Sequence, residues 1–123
     1  MIAKKIKGSV INISSQLGHI AAYNRTAYCS SKFAIEGFTK AAALDLGKYG
    51  IRINSVAPTK TITNNDKILN KKKRLNIIKK KIPLREFTRK EDLAEICYFL
   101  TTAACKNISG TSIKVDGAWT AGH

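Results

Sequence analysis

Two β-rich runs flank one long helical segment, and this order constrains the fold more than any other feature of the chain. Residues 9–13 and 51–57 are short runs rich in Val and Ile, followed respectively by a polar loop and by a proline. Between them, residues 26–48 carry apolar side chains at helical spacing, and Gly47 and Gly50 mark the helix end. A strand, a helix and a strand in this order predict a parallel βαβ unit with a right-handed crossover.

The predicted helix is unusually apolar. Asn24 and Thr26 are its candidate N-cap residues. A helix with this composition is expected to pack against a sheet on one side, and its other side is a candidate contact with a second subunit. The residues predicted to form its apolar face are Ala34, Phe38, Ala41 and Ala42, widened by Ile35 and Leu46.

A basic insert follows the second predicted strand. Residues 59–65 are polar, and then apolar residues recur at helical spacing among two lysine triplets, until Pro83 ends the pattern. This segment is a candidate flap over a ligand or a solvated helix face, and a nucleic-acid patch is the less favoured interpretation. The apolar positions are Ile68, Leu75, Ile78 and Ile82, and the triplets are 71–73 and 79–81.

A second helix and a third strand complete the predicted fold. Thr88 and Glu91 have the spacing of a capping box, and residues 111–115 form the third β-rich run. The core stripe of this second helix is predicted to be Leu93, Ile96, Cys97 and Leu100. The sequence therefore predicts an α/β fold with about three parallel strands and two crossover helices.

Composition narrows the function classes. The 123 residues suit one domain, and a net charge of +14 favours phosphate-bearing or polyanionic ligands. Because the aromatic residues do not interleave with the lysines, nucleic acid is an unlikely partner and a lysine-rich surface is the simpler interpretation. The three cysteines and two histidines form no metal-binding pattern, and no apolar run is long enough to span a membrane. We expect a reduced, cytoplasmic protein.

Tyr28 and Lys32 are the first candidates for chemistry. Residues four apart lie on one helix face, so the ammonium would adjoin the phenol and favour its ionised form, which suits proton transfer. The alternative is a solvated face, since Lys32, Glu36 and Lys40 also recur every four residues, and for the pair alone this alternative is favoured.

Ser14 and Ser15 are the second candidates. They follow the first predicted strand, at the strand end where parallel α/β sheets place their ligands. Serines in such loops more often shape turns.

Four motifs in order resemble those of the short-chain dehydrogenase/reductase family. GSVINISS at 8–15 resembles the strand that carries its catalytic serine, and YCSSK at 28–32 resembles its YxxSK motif. GIRINSVAP at 50–58 resembles its GIRVNxVxPG strand, and residues 108–117 resemble its closing (T/S)GxxxxVDGG segment. Ser15 lies 13 residues before the motif tyrosine, a spacing common in the family. The nearest general likeness is to the 3-oxoacyl-carrier-protein reductase type.

This resemblance implies a Rossmann-like doubly wound sheet and a hydride transfer between NAD or NADP and a small carbonyl or alcohol substrate. The implied catalytic residues are Ser15, Tyr28 and Lys32, with Ser14 as the alternative serine. Tyr28 would exchange a proton with the substrate hydroxyl or carbonyl group. Lys32 would stabilise the ionised form of Tyr28 and contact the nicotinamide ribose. Ser15 would hold the carbonyl oxygen by a hydrogen bond. The implied cofactor contacts are Tyr28, Lys32, Pro58, Thr59, Thr61 and Thr63, and the 59–90 insert corresponds to the family's substrate loop.

The chain also departs from the family pattern. Thr59 stands where the family has a glycine after proline, and Ala118 replaces the second glycine of its DGG. The glycine-rich TGxxxGxG turn, the NNAG segment, the catalytic asparagine and the residue selecting NAD or NADP have no counterpart. The resemblance covers the C-terminal half of a typical member, so we expect one partial NAD(P)-binding domain over 1–123, a fragment with little activity alone. The alternatives are a non-catalytic assembly module, with a homo-oligomer through residues 26–48, and a basic nucleic-acid-binding fragment acting through residues 71–81.

Overall fold

Three parallel strands form the sheet of the described residues. In the computed structural model, which describes residues 1–62 and 72–122, these are β1 (Gly8–Ile13), β2 (Ile51–Pro58) and β3 (Ser112–Val115). The spatial order is β1-β2-β3, with Val10 opposite Ile53 and Ser55 opposite Ser112. The predicted parallel α/β sheet is confirmed.

Of the three α-helices in the described residues, two connect the strands. They are α1 (Thr26–Gly47), between β1 and β2, and α3 (Lys90–Thr101), between β2 and β3. The third helix, α2 (Lys72–Lys81), belongs to the basic insert. None of the helices in the described ranges combines the length and the apolar character needed to cross a bilayer.

The two crossover helices cover opposite faces of the sheet, since side chains alternate along a strand. Under α1, Ala42 packs with Ile51 and Ile53 of β2. Under α3, Leu100 packs with Val56. The residues around this second cluster include Leu93, Ile96 and Cys97, so the core stripe predicted for the second crossover helix is confirmed.

The apolar face predicted for α1 is only partly confirmed, because Ala42 is buried in the core as predicted but three of the other positions are exposed. Phe38 is 60% exposed and Ala34 and Ala41 are exposed, whereas Glu36 and Thr39 are buried against the sheet. The helix can bury these polar side chains because the sheet supplies hydrogen-bond partners for both. The same observation excludes Glu36 from a solvated helix face.

The predicted helix caps are wrong. The N-cap residue of α1 is Arg25, and no side chain caps it. At α3 the N-cap residue is Arg89, whose backbone N–H donates to the Asp92 carboxylate at 3.1 Å. Thr88 does not cap this helix, since its hydroxyl donates to the Val115 carbonyl oxygen at 2.7 Å. A tertiary hydrogen bond thus replaces the local one.

Candidate active site

A cavity of about 1080 Å³ lies beyond the carboxyl ends of β1 and β2. In parallel α/β sheets this is the edge where ligands bind. Its wall combines the turn after β1, the first two turns of α1, the segment after β2, one face of α2, and Trp119. The lining residues predicted from the sequence are Ser14, Ser15, Tyr28, Lys32, Pro58, Thr59 and Thr61. Thr63, the remaining predicted contact, lies outside the described residues.

Tyr28 and Lys32 lie side by side at the start of α1. The Lys32 ammonium is 5.7 Å from the centroid of the Tyr28 ring. It also donates to the carbonyl oxygen of Ile13, the last residue of β1, at 3.0 Å. This bond fixes the lysine between helix and strand, and an ammonium has further N–H donors available for a ligand.

The two serines after β1 have different environments. The Ser15 hydroxyl accepts the Leu17 N–H at 3.2 Å, which leaves its own proton available for donation into the cavity. Ser14 Oγ is buried without a hydrogen-bond partner in the part of the chain that the structure describes, and it lies towards Gly18, where a Cβ would be only 2.8 Å away. Gly18 itself abuts α1, because the same Cβ would lie 3.0 Å from the Lys32 carbonyl oxygen. Of the two serines, Ser15 is therefore the better donor to a ligand.

Besides Ser14 Oγ, two further buried oxygens in the cavity wall lack a hydrogen-bond partner among the described residues. They are Thr59 Oγ1 and Gln16 Oε1. The Thr59 backbone is held by its N–H, which donates to the Val115 carbonyl at 3.1 Å. Buried polar atoms are seldom left unpaired, so these two oxygens are candidate contacts for a polar ligand group.

Several lining residues were not singled out as site residues from the sequence. They are Gln16, Arg25, Arg74, Ile77, Lys81 and Trp119, among others. A signal for Arg25 was present, since it precedes Tyr28 by three residues, which is one helical turn. The structure places Trp119 in a turn held by Asp116, whose carboxylate accepts the Ala118 and Thr120 N–H groups, each at 3.0 Å.

A buried polar cluster behind the cavity ties α1 to the sheet. The Glu36 carboxylate accepts the Ser55 hydroxyl at 2.8 Å and the Ser112 hydroxyl at 3.2 Å. His19 Nε2 lies 3.3 Å from Glu36 Oε1 and 3.0 Å from Ser112 Oγ. Glu36 is one turn beyond Lys32, so these contacts hold the helix that carries Tyr28 and Lys32 in a fixed position.

Known proteins share this arrangement of elements. The family model described as enoyl-(acyl carrier protein) reductase matches residues 1–120. A solved oxidoreductase of the short-chain dehydrogenase/reductase family from Burkholderia thailandensis superimposes with a TM-score of 0.90 at 28% identity, over 100% of this chain and 48% of that one. The chain belongs to the short-chain dehydrogenase/reductase family.

Two further members of this family are similar in sequence. Carbonyl reductase [NADPH] 2 of Sus scrofa is 34% identical over 98% of this chain and 50% of its own length. The solved 4-hydroxyisoleucine dehydrogenase complexed with NADH is 34% identical, with a TM-score of 0.91, over 98% of this chain and 50% of that one. The chain spans about half the length of the relatives it matches.

Proposed function

We propose that this chain provides the nicotinamide and substrate end of an NAD(P)-dependent oxidoreductase that interconverts a carbonyl and a hydroxyl group. The observation that carries the proposal is the convergence of Ser15, Tyr28 and Lys32 on one cavity. Family membership supports it, as do a relative named as an NADPH reductase and another solved with NADH.

The cavity wall fits a nicotinamide group. A carboxamide both donates and accepts hydrogen bonds, and the unpaired buried oxygens of Thr59 and Gln16 are acceptors of the right kind. Pro58 and Thr61 flank this wall. We propose that Pro58, Thr59, Thr61 and, outside the described residues, Thr63 contact the cofactor together with Tyr28 and Lys32.

The proposed reaction transfers a hydride through the nicotinamide and a proton through Tyr28. When bound, the nicotinamide supplies or accepts the hydride at its C4. In the reductive direction Tyr28 donates its phenolic proton to the carbonyl oxygen, and in the oxidative direction the phenolate removes the proton of the alcohol. The Ser15 hydroxyl donates to the same oxygen, and the Lys32 ammonium stabilises the phenolate.

Binding and turnover of the 123-residue chain test this function. Because the chain has no glycine-rich pyrophosphate turn, we compare NADH and NADPH with reduced nicotinamide mononucleotide, which lacks the adenylate. All three are expected to bind with similar affinity. The loss of reduced nicotinamide absorbance measures the rate of carbonyl reduction. This rate is expected to fall roughly 10²–10⁴-fold in Tyr28→Phe, which is the usual contribution of a general acid.

The matched control is Tyr23→Phe, which changes a tyrosine that is 98% exposed and outside the cavity lining. This variant is expected to keep full affinity and activity. A chain that binds none of the three nucleotides and reduces no carbonyl compound would rule out independent activity. Equal losses in the two tyrosine variants would remove Tyr28 from the reaction.

We also propose that the exposed face of α1 forms a homo-oligomer contact. Phe33, Phe38 and Leu44 are apolar yet exposed, Leu44 to 84%. Gly37 lies in the same part of α1, and a Cβ there would meet no atom of the described residues within 4 Å. Sedimentation of the chain is expected to show a dimer or larger species that Phe38→Glu dissociates, and a monomer at every concentration would contradict the contact.

Two broader predictions belong to the same proposal. We propose that residues 1–123 form a single partial Rossmann-like domain in which residues 59–90 act as the substrate loop, and the cavity lining by α2 supports this. A cytoplasmic location is supported by the cysteines, all three of which are free thiols.

A further inference from the structure

One face of α2 presents cations and apolar side chains to the cavity. Arg74, Ile77, Ile78 and Lys81 all line it. Their spacing of three, four and seven residues places them on a single helix face, with the two isoleucines between the two cations. Ile77 is 55% exposed although it borders the cavity, so a ligand lying there would cover apolar surface.

A residue outside α2 adds a further positive charge to the cavity lining. Arg25 precedes α1 and lines the cavity with Tyr28, the proposed proton donor. Neither Arg25 nor Arg74 forms an ion pair with any residue in the described ranges. Within those ranges no Asp or Glu side chain belongs to the cavity lining. A cleft lined by charge of one sign raises the local concentration of the opposite ion.

We propose that the substrate of this site is an amphiphilic anion, namely a hydroxy or oxo compound that carries a carboxylate or phosphate and a hydrocarbon segment. The cationic cluster, Arg25, Arg74 and Lys81, binds the acidic group, and Ile77 and Ile78 contact the hydrocarbon. This proposal rests on the oxidoreductase function proposed above and names its substrate class.

The guanidinium groups give the cluster its selectivity for acids. Arginine offers N–H donors in a planar fork that matches carboxylate and phosphate oxygens. The apolar contacts add affinity in proportion to the hydrocarbon surface that they cover. A neutral diol of equal length would gain only the affinity from the apolar contacts. The expected preference is therefore for the charged member of such a pair.

Trp119 provides a direct measurement, because it is the only tryptophan of the chain and it lines the cavity. Its fluorescence is followed during titration with 3-hydroxydecanoate, decyl phosphate and the neutral 1,3-decanediol. At least one of the two anions is expected to produce a saturable change at concentrations roughly tenfold below those needed for the diol, the effect of one charge-assisted contact. The tighter of the two anions identifies the acidic group as carboxylate or phosphate.

Matched variants separate the cluster from the general basicity of the chain. Arg74→Gln and Lys81→Gln are each expected to weaken binding of the tighter anion roughly tenfold and to leave the diol unchanged. The control is Lys106→Gln, which removes the same charge from an exposed lysine outside the cavity lining. It is expected to have no effect. Circular dichroism checks that the three variants keep the same fold.

Three results would overturn the proposal. The first is equal affinity for the anions and the diol. The second is an equal loss in Lys81→Gln and Lys106→Gln, which would indicate an effect of net charge. The third is a loss of NADH affinity in Arg74→Gln without a loss of anion affinity, which would assign the cations to the cofactor.

The fluorescence titration needs no turnover, so its outcome is independent of the proposed function. Anion binding without nucleotide binding or carbonyl reduction would contradict the oxidoreductase and leave the anion site in place. Reduction restricted to neutral carbonyl compounds would support the oxidoreductase and overturn the anionic substrate.

Discussion

Replacement of Ala118 by glycine is expected to stabilise the chain. Ala118 has a φ of +69°, in the left-handed region, and follows Gly117, which has a φ of +60°. Both belong to the turn that the Asp116 carboxylate holds beside the cavity by accepting the Ala118 N–H. The alanine stands where the family pattern has a glycine, so the substitution restores the residue that this backbone favours.

The magnitude follows from two opposing effects. A left-handed backbone costs an L-residue about 1–2 kcal/mol, a cost that glycine does not carry. Glycine gives the unfolded chain more freedom, which offsets about 0.4–1 kcal/mol of the gain. From the midpoints of these two ranges, about 1.5 and about 0.7 kcal/mol, Ala118→Gly is expected to raise the free energy of unfolding by about 0.8 kcal/mol.

Urea unfolding followed by far-ultraviolet circular dichroism measures this change without relying on the neighbouring tryptophan. The control is Gly117→Ala, whose Cβ would meet Ile82 Cγ2 at 2.5 Å in addition to the left-handed backbone. We expect it to lower the free energy of unfolding by about 2–4 kcal/mol. An Ala118→Gly chain that is equally or less stable, with an unchanged denaturant slope, would refute the strain at this position.

Three further expectations concern stability and thiol reactivity. Gly18→Ala should lower the free energy of unfolding by about 1–3 kcal/mol, because its Cβ would lie 2.8 Å from Ser14 Oγ and 3.0 Å from the Lys32 carbonyl oxygen of α1. Gly37→Ala should raise the free energy of unfolding by about 0.5–1 kcal/mol, because its Cβ would meet no atom of the described residues within 4 Å. Urea unfolding measures both changes. The side-chain hydrogen bond from Arg89 lowers the pKa of Asp92 below its ordinary value of 3.8. The wild-type chain should therefore be more stable than Asp92→Asn at neutral pH, and this difference in stability should vanish as the pH falls through the lowered pKa. Urea midpoints at several pH values measure the difference. Burial raises the pKa of the Cys97 thiol above its ordinary value of 9.0. A disulfide reagent should therefore modify Cys97 in the folded chain slowly at neutral pH and faster as the pH rises. Rapid modification of Cys97 at pH 7 would contradict this expectation.

The polar side of α1 shows why burial was hard to predict. Helical periodicity selects the most apolar stripe as the buried one, which would have placed Phe38 in the core. The sheet instead faces Glu36 and Thr39, because Ser55 of β2 and Asn12 of β1 hydrogen-bond to them. Partners that are 19 and 27 residues away along the chain leave no trace in a local pattern.

The candidate site was predictable where it coincides with a strand end or a helix start. Ser15, Tyr28 and Thr59 lie at such positions, and the order of elements implies that they share one edge of the sheet. The orientation of α2 was not predictable in this way. Its sequence offers several basic faces, and only its packing selects the one with Arg74 and Lys81.

The sequence by itself determined the parallel order of strands and the pairing of Tyr28 with Lys32, because both depend on local periodicity and on chain connectivity. Tertiary structure alone decided which face of α1 meets the sheet and which face of α2 borders the cavity. Those outcomes depend on hydrogen bonds and close contacts between segments far apart in the chain, which form only when the sheet and its helices have packed together.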